Sequence, residues 1–173
     1  MRWVILIFVI VFDIGVLFYL FGDKITQTSD TTVRFSDIQD ELLLVDYGGF
    51  KADLGVFASQ PLVINSWASW CLFCKEELPA FATVQKEFSD QVRFIAINRR
   101  ESPETAKKYT DELDITDDLI FLIDTPDSFY KAMGGFTMPE TIFVDRAGNV
   151  VFHKRGVMTI DEIREQTLKI IHN

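Results

Sequence analysis

Apolar and polar positions divide this chain into three regimes. Residues 3–21, WVILIFVIVFDIGVLFYLF, are almost continuously apolar, and Asp13 is the single charged residue among them. Residues 23–32, DKITQTSDTT, are polar and rich in Ser and Thr. From residue 33 onward, short apolar runs alternate with stretches whose apolar residues recur at helical spacing. Nineteen residues in a helix cover about 28 Å at ~1.5 Å each, close to the ~30 Å hydrocarbon layer. The first regime therefore predicts one transmembrane helix. It ends in Phe-Gly-Asp-Lys without the Ala-x-Ala-like site of a cleavable signal, which favours an uncleaved anchor. The expected organisation is an anchor over 1–22, a linker over 23–32 and a folded domain over 33–173. Arg2 and the amino terminus precede the span, so the short tail faces the cytoplasm and the domain faces outward. Lys24 weakens that bias. Asp13 is costly within a span, and it is tolerated there, protonated, or meets a polar partner.

Within the third regime, residues 33–35 and 42–45 read as short strands, an N-terminal β extension that leads into an Asp46-Tyr47-Gly48-Gly49 turn. A short helix is predicted over 54–59. Residues 62–65, 92–98 and 119–123 have the continuous apolar character of buried strands. Helices are predicted between and after them. One runs over 71–88 with Pro79 inside as a kink. The second, over 103–113, has Ser102 as N-cap and Pro103 at its first position, and the third, over 128–133, is closed by Gly134-Gly135. Residues 141–144 and 150–154 flank a Gly-containing turn and read as a hairpin. Thr159-Ile160-Asp161-Glu162 opens the last helix as a capping box. The order βαβα, βα, ββα predicts an α/β domain: a mixed central sheet with helices on both faces.

Composition adds two limits. Nearly half the residues are hydrophobic, 48%, and sixteen are Phe, so the core is aromatic-rich. The net charge of −9 argues against nucleic acid as a partner. The chain has two cysteines and two histidines, His153 and His172, which is too few and too dispersed for a structural zinc site, so no metal is assigned.

The two cysteines carry the candidate chemistry. Cys71 and Cys74 stand in Trp67-Ala68-Ser69-Trp70-Cys71-Leu72-Phe73-Cys74-Lys75, where an apolar strand gives way to a helix. A cysteine at a helix start faces unpaired backbone N–H groups and the positive end of the helix dipole, and both favour thiolate over thiol. A second cysteine one turn later is close enough to attack a mixed disulfide formed by the first. The pair is thus a candidate dithiol/disulfide couple. On the outer side of a membrane it needs either an oxidant's role or a supply of electrons.

The strand ending in Asn-x-Trp-Ala-x-Trp-Cys-x-x-Cys-Lys, the helix with its Pro and the later Met138-Pro139-x-Thr before a Gly-turn hairpin resemble a thioredoxin fold. With the Asn65-to-Cys71 wording, the Cys74-to-Pro79 continuation and the N-terminal anchor, the chain looks like the membrane-tethered thiol–disulfide oxidoreductases of the TlpA/ResA/CcmG (DsbE) type. The resemblance covers about residues 33–172 and is weak over 33–60. It implies that Cys71 is the exposed nucleophile, Cys74 the buried resolving thiol and Trp70 an aromatic lid beside them. It implies that Pro139 ends a cis-proline loop, where the Met138 backbone pairs with a substrate strand. It also implies that Glu77, three residues after Cys74, handles the proton of the buried thiol. Asn65 stands where cytosolic thioredoxins carry a buried Asp, so that acid's role does not carry over. The dipeptide Leu72-Phe73 replaces the acid or Gly followed by Pro of many relatives. It lacks the His of strong oxidants and restores a backbone N–H at the helix start.

What the resemblance implies for function is reduction of disulfides in envelope proteins, such as apocytochrome c during cytochrome c maturation. Electrons would come from a membrane thiol donor of the DsbD/CcdA type, with no cofactor. Two alternatives stay open: a disulfide-introducing oxidant, and a copper-binding assembly module using both thiolates. Arg99-Arg100, at the end of the second strand, is read as a solvated loop.

Overall fold

The computed structural model describes residues 34–39 and 41–172. The predicted anchor and linker lie outside the described residues. Among those described, no helix is long and apolar enough to cross a membrane. A helical turn, α1 (Ser36–Gln39), and a 3-10 turn (Leu54–Phe57) precede β1 (Leu62–Trp67). There follow α2 (Leu72–Phe88), β2 (Arg93–Arg99), α3 (Pro103–Glu112), β3 (Ile120–Asp124) and α4 (Ser128–Ala132). The hairpin β4 (Glu140–Val144) and β5 (Val150–Arg155) and the helix α5 (Ile160–His172) complete the domain.

The sheet has five strands in the order β3-β2-β1-β4-β5. β1 runs parallel to β2 and antiparallel to β4, so the sheet is mixed, as predicted. Every residue of β1 is buried. The reason is cover on both faces, by helices on one and by the segment before β1 with α4 on the other. On one face Trp67, Phe81, Phe94, Phe121 and Phe143 form an aromatic core with α2, α3 and α5. On the other, Ile64, Ile95, Ile97 and Ile142 pack under Phe35, Leu42, Leu44, Leu54 and Phe129. Full burial of each such side chain stabilises the fold by roughly 1.5–3 kcal/mol. This arrangement explains why the strands read as unbroken apolar runs rather than as an alternation.

Helix boundaries follow the capping chemistry. The Ser102 hydroxyl accepts from Thr105 N–H at 3.2 Å. Thr159 N–H donates to Glu162 Oε2 at 2.8 Å while Glu162 N–H donates to Thr159 Oγ1 at 3.2 Å, a reciprocal box.

The N-terminal β extension is corrected. Among the described residues it contributes isolated bridges, Arg34 to Asn149 and Val45 to Lys51 and Ile123, and no strand of the sheet. Leu42 and Leu44 are buried and Leu43 is exposed, which is the alternation of a strand. Their side chains do cover the sheet. The backbone, however, reaches the edge strand β3 only at Val45, and the chain after Arg34 winds into α1 instead.

Candidate active site

The central strand β1 ends where its two neighbours run in opposite directions, a position at which open α/β sheets place their sites. Its last residues deliver Ala68, Ser69 and Trp70 to a tight turn, and Cys71 follows as the N-cap of α2. Cys71 has extended backbone angles, and its Sγ accepts from Cys74 N–H at 3.2 Å. A sulfur thus takes the place of the usual Ser or Asp oxygen at an N-cap. The donor that reaches it belongs to Cys74, one residue beyond the N–H that loss of the family's proline restores. Cys71 and Cys74 are joined in a disulfide with their Cα atoms 5.3 Å apart. Solvent reaches the pair from one side: Cys71 is 6% exposed and Cys74 is fully enclosed.

Behind Cys74 on the same helix lies a buried acid. Glu77, one helical turn on, is 1% exposed, whereas its neighbour Glu76 is exposed. Its Oε1 accepts from Met158 N–H at 2.7 Å, and its Oε2 accepts from Asn65 Nδ2 at 3.1 Å. Asn65 also donates to Thr141 Oγ1 at 2.9 Å, across the β1–β4 register in which the two residues are partners. Burial raises the Glu77 pKa from 4.5 to about 8, against the lowering effect of the Met158 N–H, the Asn65 amide and the Lys154 charge. A carboxyl titrating there is matched to a thiol, whose ordinary pKa is about 8.5.

The outward side is apolar and wet. Trp70 is 66% exposed, and Leu72 and Phe73, between the cysteines, are exposed as well. Phe136, in the loop that leads to Pro139, is 83% exposed. Met138 precedes Pro139 through a cis bond and is half-buried, with its sulfur 3.9 Å from Ser66 Oγ. All six residues singled out from the sequence lie at the end of β1, in the first turns of α2 or in the segment entering β4.

Three acids escaped that reading, two of them buried. Glu140, after Pro139, is 2% exposed; its Oε1 lies 2.7 Å from His153 Nε2 and 3.3 Å from Arg155 Nε. Glu101 accepts from Ser69 N–H at 2.9 Å and from Asn98 Nδ2 at 2.6 Å, tying the turn before Cys71 to the end of β2. Asp127, on the loop into α4, holds Arg99 through paired bonds. The solvated-loop reading of Arg99 is therefore corrected: its side chain is 14% exposed and locked in an ion pair. Only Glu140 stands near an apolar run; Glu101 and Asp127 stand among polar residues and prolines, and exposed acids look the same. Among the described residues, no group of three or more His, Cys, Asp and Glu is arranged to hold a metal.

A Cys-x-x-Cys disulfide at the N-terminus of the helix after β1, on this mixed sheet, defines a thioredoxin-fold redox protein. The chain belongs to the Redoxin family, whose model matches residues 22–168. It is 26% identical over 121 residues to the thioredoxin-like protein YneN of Bacillus subtilis, covering 68% of this chain and 69% of that one. It is 25% identical over 139 residues to the thiol–disulfide oxidoreductase ResA of Geobacillus thermodenitrificans, covering 80% and 79%. In fold it matches the structure of MTB dsbF in mixed oxidized and reduced forms, with a TM-score of 0.69 and 22% identity. That match covers 80% of this chain and 99% of the other. Fold, cysteine pair and family together make the chain a thiol–disulfide oxidoreductase of the TlpA/ResA/CcmG type.

Proposed function

We propose that the enzyme works reductively on protein disulfides outside the cytoplasmic membrane, tethered by residues 1–22. The observation that carries this reading is the Cys71 sulfur at the mouth of α2, accepting a backbone N–H, with an enclosed acid behind its partner. The Cys71 thiolate attacks one sulfur of the target disulfide, forms a mixed disulfide and releases the first target thiolate. Cys74 passes its proton to the Glu77 carboxylate, and its sulfur attacks Cys71 Sγ. The internal disulfide closes, and the second target thiolate leaves and takes up a proton. The target gains two electrons and the enzyme loses two. A membrane dithiol of the DsbD/CcdA type restores the reduced pair. The substrate class we assign is envelope proteins with paired cysteines, apocytochrome c among them.

Trp70 and the Met138-Pro139 segment receive the substrate chain beside the disulfide. The wet apolar rim supports this placement, since an exposed aromatic next to a reactive thiol suits an incoming peptide. The test is insulin-disulfide reduction by the full-length chain with dithiothreitol as electron source. Cys71→Ser abolishes it, and retention of full activity by that variant contradicts the mechanism. A reduction potential near ~−270 mV supports the reductive direction, whereas one near ~−120 mV marks an oxidant and overturns it.

A further inference from the structure

Helix α4 has five residues and buries one apolar side chain, Phe129. Apolar burial on that scale does not fix a helix so short. Polar groups hold it instead. Asp124, at the end of β3, accepts from Ser128 N–H, Ser128 Oγ and Phe129 N–H, each at 2.8 Å. Asp127, 3% exposed and in the left-handed region at φ +63°, accepts from Arg99 Nε at 2.7 Å and from Arg99 Nη2. A non-glycine residue with that φ costs energy, and the arginine pair offsets it. The Arg99 guanidinium in turn lies 3.3 Å from the centroid of the Tyr130 ring.

Tyr130 is what this mounting presents. Its backbone oxygen accepts from Gly135 N–H at 2.8 Å, and its hydroxyl donates to Thr137 O at 3.2 Å. A Cβ on Gly135 would stand 2.3 Å from the Tyr130 ring, so the loop passes the ring at a distance that only glycine allows. Thr137 O belongs to the peptide that carries Met138 N–H. In a trans peptide the C=O and N–H point in opposite directions. With the oxygen held on Tyr130, the Met138 N–H is turned away from it.

We propose that Tyr130, braced by Arg99 and Asp127, is a positioning residue that sets the plane of the Thr137–Met138 peptide so that Met138 N–H faces an incoming substrate strand. The inference rests on the reading that this segment receives the substrate backbone. It predicts selectivity for extended polypeptide over hydroxyethyl disulfide, which has no carbonyl to place on that N–H.

The experiment uses the full-length chain as wild type, Tyr130→Phe and Gly135→Ala. Tyr130→Phe removes one oxygen and keeps the ring. It raises KM for insulin about fivefold with kcat within twofold, and kcat/KM for hydroxyethyl disulfide stays within twofold. Gly135→Ala shifts KM in the same direction. In parallel, a cysteine peptide is trapped on Cys71 in the Cys74→Ser background and amide exchange is followed. Trapping slows exchange at Met138 in the otherwise wild-type chain, and Tyr130→Phe removes most of that protection. Unchanged insulin KM with undiminished Met138 protection in Tyr130→Phe overturns the inference and leaves substrate docking at this segment intact. Absence of protection without the Tyr130 substitution overturns the docking reading itself, and the inference with it. A parallel fall in activity toward both substrates marks general disruption and also overturns it.

Discussion

The two sides of the Cys71–Cys74 disulfide are built from opposite materials. Inward, behind Cys74, the groups are polar and dry: Glu77, Asn65 and Thr141 are all 3% exposed or less. Outward, around Cys71, they are apolar and wet: Trp70, Leu72 and Phe73 are each more than half exposed. Both arrangements invert the usual rule of apolar inside and polar outside. The dry polar side shifts a carboxyl into the thiol range, because desolvation penalises its charge. The wet apolar side gains stability when another chain covers it. In the proposed mechanism, proton handling and partner binding are thereby separated by a single disulfide.

Substitutions on the two sides should fail differently. The largest effect is that of Cys74→Ser, which leaves the attack by Cys71 intact and removes resolution. Turnover is lost and mixed disulfides accumulate on non-reducing gels; sustained turnover would show that resolution does not need Cys74. Next is Glu77→Gln, which keeps the shape and removes the base. Stopped-flow resolution of a preformed mixed disulfide should slow by about 10²-fold and lose its rise with pH near 8. An unaltered pH profile would remove Glu77 from the proton path.

The same variant has a stability signature of defined sign. The folded pKa of Glu77 is raised from 4.5 to about 8, so between those values the folded chain binds more protons than the unfolded one. Its contribution to stability is complete below that window and falls as pH rises through it, at up to roughly 1.4 kcal/mol per pH unit. Chemical denaturation of the oxidised chain at pH 5 and pH 8.5 should show this fall in wild type, and a smaller one in Glu77→Gln. The smallest effect belongs to the outer side. Trp70→Ala should raise insulin KM about fivefold and change unfolding stability by about 0.5 kcal/mol or less, as befits an exposed side chain. A large loss of stability would show that Trp70 belongs to the core.

Much of this is legible in the amino-acid sequence. The strands of the sheet are covered on both faces, so their apolar runs were unbroken and easy to place. The caps of α3 and α5 use Ser and Thr in their ordinary roles. The cysteine spacing located the disulfide. The buried acids were harder, because what buries them comes from far along the chain. Glu77 meets Met158, Glu140 meets His153 and Arg155, and Arg99 meets Asp127. No local pattern distinguishes such an acid from a solvated one like Glu76. The region before β1 misled for another reason. Alternation at Leu42, Leu43 and Leu44 reports which side chains are covered, and backbone pairing is a separate matter.

The central claim is that Cys71 is ionised by its place at the start of α2 and open to attack on other chains. Iodoacetamide alkylation of the reduced full-length chain, followed from pH 4 to 10 with each cysteine resolved by mass, tests it most directly. The account predicts a Cys71 titration well below the ordinary thiol value of about 8.5, with Cys74 reacting more slowly and at higher pH. A Cys71 that titrates at or above that value, or reacts no faster than Cys74, would contradict it.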